Sequence, residues 1–96
     1  MNGYFIFMSN YNEGEVMNGY YKRVNIDVEL IYNSKGKIHL LAMYWGDKRF
    51  EITEFESRAF VKSETGFVSE LYLATIDGKQ KKIYFSEGLF FVEIVR

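Results

Sequence analysis

The chain has 96 residues, 48 % hydrophobic and 19 % aromatic, with 12 basic and 13 acidic side chains and no cysteine. The aromatic and aliphatic load excludes intrinsic disorder, and the lack of cysteine excludes disulfides, a thiolate nucleophile and cysteine-type zinc sites. A net charge of -1 excludes a global field that would draw nucleic acid or an acidic substrate to the whole surface.

A chain of this length makes one domain with one core. Residues 1–19 stand apart: they lack Lys and Arg and carry Glu13 and Glu15, and Met-Asn-Gly-Tyr occurs at Met1 to Tyr4 and again at Met17 to Tyr20. A repeat this short does not make a solenoid. Tyr4 to Met8 is expected to form a strand that adds to a sheet edge, followed by a loop over Asn10 to Gly19, with residues 20–96 as the barrel core. Met8 and Met17 stand beside Met1 as alternative starts. No Lys or Arg precedes the short apolar run, as a signal peptide would require, and no run approaches the ~20 apolar residues of a membrane span. A cytoplasmic protein with no membrane partner is expected.

From Tyr21 to Tyr32 the period is two: Val24, Ile26, Val28 and Leu30 alternate with Arg23, Asn25, Asp27 and Glu29, the mark of a half-buried antiparallel strand. Asn33-Ser34-Lys35-Gly36 is a turn that joins it to Lys37 through Trp45 as a hairpin. In that second strand Ile38, Leu40, Ala42 and Tyr44 share one face and His39, Leu41, Met43 and Trp45 the other, so both faces are apolar and need cover. Gly46-Asp47-Lys48 turns the chain into Arg49 to Phe55. The stretch 53–66 reads either as a helical turn, with Glu54 and Arg58 spaced i, i+4, or as strand continuing past a bend, which is preferred. From Leu71 to Val95 three apolar runs are separated by Asp77-Gly78 and Ser86-Glu87-Gly88, a meander whose core is assigned to Leu71, Leu73, Ile83, Phe85, Phe91 and Val95.

Six to seven short strands with turns about every ten residues imply an all-β fold. A small antiparallel barrel of the SH3-like type or a strongly coiled meander is expected, with a two-sheet sandwich as the alternative.

Laid out this way, the chain resembles a group of small β-rich bacterial proteins of Gram-positive genomes and their mobile elements. The resemblance rests on Val24 to Leu30, Gly36-Lys37-Ile38 with Leu40-Leu41, Trp45-Gly46-Asp47, Phe50-Glu51-Ile52, Gly66 with Tyr72 and Ile76-Asp77-Gly78, and Phe90-Phe91-Val92-Glu93. It spans roughly Lys22 to Glu93. The chain departs from the group's pattern at Lys48, at Phe90 and in having no glycine-rich centre around Glu64 to Val68. The resemblance implies no activity; its mobile-element setting suggests an inhibitor of a host or phage system.

His39 is the only histidine, and without Cys or a second His it makes no usual transition-metal site. Asp47, Glu51, Glu54 and Glu56 are the densest acidic stretch, but Arg49 and Arg58 flank them, as expected of solvated strand charge. No nucleophile, base pair or phosphate loop is evident, so a non-enzyme without cofactor or metal is expected. Eighteen aromatic residues, each burying about 150–250 Å² when enclosed, exceed what a barrel of this length holds. Tyr4, Tyr11, Tyr20, Tyr21, Tyr44 and Trp45 are therefore assigned to an exposed protein-binding set, acting on the protein itself as a homo-oligomer or on a macromolecular partner. The alternative is single-stranded nucleic acid bound by Lys79, Lys81, Lys82, Tyr84 and Arg49, since small barrels stack bases on aromatics in a basic groove.

Overall fold

The computed structural model describes residues 17–96, and within them every regular element is a strand. In chain order these are β1 (Met17–Asn18), β2 (Tyr21–Tyr32), β3 (Ile38–Trp45), β4 (Lys48–Glu51), β5 (Glu54–Lys62), β6 (Val68–Ile76), β7 (Lys79–Ser86) and β8 (Leu89–Val95). All pairings are antiparallel in the order β4-β3-β2-β8-β7-β6-β5, with β1 against the start of β2. From β2 the described chain thus starts mid-sheet, winds out to one edge, crosses to the other and winds back. The crossing is made by Ile52 and Thr53 alone: the Ile52 N–H donates to the Leu41 carbonyl of β3 and the Thr53 N–H to the Thr75 carbonyl of β6. So short a link draws the two edges together, and the sheet curls into a half-barrel. The expected all-β barrel or coiled meander is what forms.

The turns follow from local chemistry. Asp77-Gly78 and Glu87-Gly88 each place both residues at positive φ (52° and 76°; 52° and 83°), the type I′ geometry whose twist matches a hairpin. Asn33 closes the β2–β3 turn with its side chain, the Oδ1 accepting from the N–H groups of Lys35 and Lys37 at 2.9 Å each. Ser63 does the same work between β5 and β6, its Oγ accepting from the Phe67 N–H at 3.1 Å.

The inner face of the curl holds the main core, including Val24, Leu40, Met43, Phe50, Tyr72, Ile83 and Val92. On β2 the period of two holds throughout, with Ile26, Val28 and Leu30 packed against this core. On β3 it does not. The register passes from Glu29↔Ala42 to Leu30↔Leu40, leaving Leu41 as a bulge. One extra residue flips the faces, so Ile38 and Leu40 join Met43 and Trp45 inside rather than sharing a face with Tyr44. The stretch 54–62 is strand, as preferred, and its bend is a second irregularity in register between Arg58 and Val61.

The closing meander departs from its expected division. Ile83 and Phe85 face the main core, whereas Leu71, Tyr84 and Phe91 build a second cluster on the opposite face, joined by Val61, Phe67 and Leu73. Val95, assigned to the core, is 68 % exposed, because it lies in the last strand position beyond the reach of either cluster.

Candidate binding surface

The second cluster is roofed by a buried cation. Arg23 lies on the opposite face of β2 from Val24, with its guanidinium carbon 4.0 Å from the Phe91 ring centroid and 4.4 Å from that of Phe67. A guanidinium is the cation best suited to such stacking, being planar and weakly hydrated. Its Nε donates to Asn25 Oδ1 at 3.0 Å. Beneath it Tyr84 stacks on Phe91 at 5.2 Å and 15°. Glu93, opposite Arg23 in the β2–β8 ladder, turns to the β5–β6 turn and accepts from the Glu64 N–H (2.9 Å), the Thr65 N–H (2.7 Å) and the Thr65 hydroxyl. The turn is thereby clipped over the cluster, with Ser63, Thr65 and Ser69 buried and hydrogen-bonded. None of this latch was signalled by spacing, since Glu64 and Glu93 are 29 residues apart.

The expected protein-binding set divides. Tyr20 is 78 % exposed in the β1–β2 turn, and Tyr21 and Tyr44 are half-buried. Trp45 is not a surface residue: only 7 % exposed, it was carried inward by the Leu41 bulge. Tyr4 and Tyr11 lie outside the described residues. Exposed apolar residues that spacing missed are Phe60 (78 %), at the irregularity in β5, and Tyr32 (69 %), at the end of β2. An irregular edge strand turns a side chain outward that regular alternation would bury.

The nucleic-acid set does not converge. Tyr84 is buried against Phe91 and offers no face to a base. Lys82 lies on the Tyr84 side of β7, and Lys79 and Lys81 on the Ile83 side. Arg49 sits on β4 with its Nη2 2.7 Å from Glu29 Oε1. His39 is exposed, its ring centroid 5.1 Å from that of Phe55 in a T-shaped contact. Glu56 pairs with Arg58 at 3.1 Å, and among the described residues no group of three His, Cys, Asp or Glu is placed to hold a metal ion. No helix of the described residues is long and apolar enough to cross a membrane.

Two phenols report the two faces. Burial, reinforced by Glu70, pushes Tyr72 up to about 12 on the inner face; burial, reinforced by Glu93 and Glu64, pushes Tyr84 up to about 12 on the outer one. Both protons are held more tightly in the folded than the unfolded chain, where tyrosine titrates near ~10. Their contribution to stability is complete below pH ~10 and is lost as pH rises through about 12. The denaturation midpoint is therefore expected to fall over that window, and to fall less in Tyr72→Phe and Tyr84→Phe; a midpoint with the same pH profile in all three proteins refutes the assignment.

Among the described residues the β7–β8 ladder runs through Tyr84↔Phe91, Phe85↔Phe90 and Ser86↔Leu89. Below that point β7 keeps its ladder with β6 down to Ile76↔Lys79, and β8 keeps its ladder with β2 as far as Tyr21↔Val95. Comparison with protein-family models, curated proteins and solved structures finds no match to this chain.

Proposed function

We propose that the protein is a non-catalytic, cytoplasmic binding protein that acts by occupying a surface, either of a second copy of itself or of a macromolecular partner such as a host or phage component. The supporting observation is the exposure of Tyr20, Tyr32 and Phe60 in a domain that fills two separate apolar clusters. Large rigid rings left in water, at a turn, a strand end and a strand irregularity, supply contact area at low entropic cost. Single-stranded nucleic acid is less well supported, because the ring meant to stack on a base is buried.

Light scattering over a concentration series tests self-association. A mass above one chain, returned to one chain by Tyr20→Ser with Phe60→Ser, is expected; these exposed changes should alter stability by no more than about 0.5 kcal/mol each. A single chain at every concentration removes self-association from the proposal.

A further inference from the structure

The sheet ends in two unequal edges, β4 and β5. β4 offers four residues, and its Arg49 is engaged by Glu29 at 2.7 Å. β5 offers nine, Glu54–Lys62, and among the described residues it pairs with β6 alone. Every residue of β5 except Phe55 and Val61 is exposed, the small Ser57 and Ala59 included, so its side chains stand in water on both faces of the sheet.

A long edge strand is a template for another strand unless charge or a bulge blunts it. β5 carries both devices. The irregularity between Arg58 and Val61 confines regular pairing to the first part of the strand. The charges there are of both signs: Glu56 and Arg58 share a face and pair at 3.1 Å, with their side chains 57 % and 54 % exposed.

These two charges sit symmetrically about Ser57. An antiparallel copy of the strand, turned about a two-fold axis at Ser57, would set Glu56 opposite the partner's Arg58 and Arg58 opposite the partner's Glu56. Four charges of alternating sign would then lie side by side, and opposite charges across a ladder stabilise it. The same register sets Phe55 opposite the partner's Ala59 and brings Phe60, 78 % exposed in the single chain, to the partner's Glu54. The neighbouring registers, with the axis at Glu56 or at Arg58, would set each of those charges against its own copy. Once two β5 edges are joined, the edges left at the ends of the doubled sheet are the short β4 strands, so the assembly closes at two chains.

We propose that β5 pairs antiparallel with β5 of a second copy about Ser57, making one continuous sheet across a two-fold dimer. The proposal rests on the second-copy form of the binding reading and gives it a site and a register.

Charge reversal tests it. Arg58→Glu and Glu56→Arg each place four like charges side by side, and each alone should weaken the dimer by about tenfold or more in sedimentation equilibrium. An equimolar mixture of the two variants should recover the affinity of the unaltered chain, because opposite charges face each other again. Both positions are exposed, and melting curves equal to that of the unaltered chain show that the variants fold. In the unaltered chain, those amides of Phe55–Ala59 that point away from β6 should exchange more slowly as concentration rises. A dimer that survives either substitution unchanged overturns the proposal while leaving self-association through another surface. It is also overturned by a mixture no tighter than its separate components, by outward β5 amides already protected in the dilute chain, or by a mass that grows past two chains. A single chain at every concentration removes it together with the second-copy reading.

Discussion

Phe91→Ala is expected to cost about 3–5 kcal/mol, a large share of the roughly 5–15 kcal/mol that holds a domain together. Phe91 is fully buried, stacks on Tyr84 at 5.2 Å, meets Phe67 at 5.8 Å and lies 4.0 Å below the Arg23 guanidinium. Removing the ring opens a cavity and also leaves a buried cation over empty space, so the loss should fall toward the upper end of that range. Urea denaturation followed by the fluorescence of Trp45, which sits in the other cluster, measures it. Val95→Ala, in the same strand, should change stability by no more than about 0.5 kcal/mol. If the two variants cost the same, the second cluster is not an energetic unit.

Glu93→Ala should lower stability by about 2–4 kcal/mol, because hydrogen bonds to a charged acceptor are worth roughly 1.5–3 kcal/mol and their loss strands the donors of the buried Thr65. For a domain of this size that is a fall in melting temperature of roughly 10–20 °C. Glu93→Gln keeps the shape but presents an amide NH₂ to donors, and should recover only part of the loss. Amide exchange separates this from general destabilisation: the Glu64 and Thr65 N–H groups should lose protection under conditions where Ile83 and Val92 keep theirs. Retained protection at Glu64 and Thr65 in Glu93→Ala would show that the turn holds itself.

Much of the fold was legible because hairpins are local. The alternation in β2, the Asn33 turn, Asp77-Gly78 and Glu87-Gly88 are each written within a few neighbouring residues, and together they specify an antiparallel meander. Two things were not legible. A bulge such as that at Leu41 is set by pairing across strands, and β3 read alone gives no sign that its faces exchange midway; Trp45 was misplaced for that reason. The second apolar face was equally hidden. Leu71 and Phe91 read as members of a single core with Ile83 and Phe85, whereas their burial depends on Arg23 and on a turn fastened by Glu93, both distant in the chain. The candidate surface was misread on the same grounds, since Tyr84 looked like a stacking platform until its partner Phe91 was in place. The lysines were recognised by their spacing, but their division between the two faces of β7 follows from the strand's pairing with β6.

The division of the apolar residues into two clusters is tested most directly by hydrogen–deuterium exchange on the full-length protein and its Phe91→Ala variant. Loss of protection at Leu71 and Tyr84 in the variant, under conditions where Leu40 and Ile76 keep theirs, is expected. Equal loss at all four positions would contradict two separate clusters.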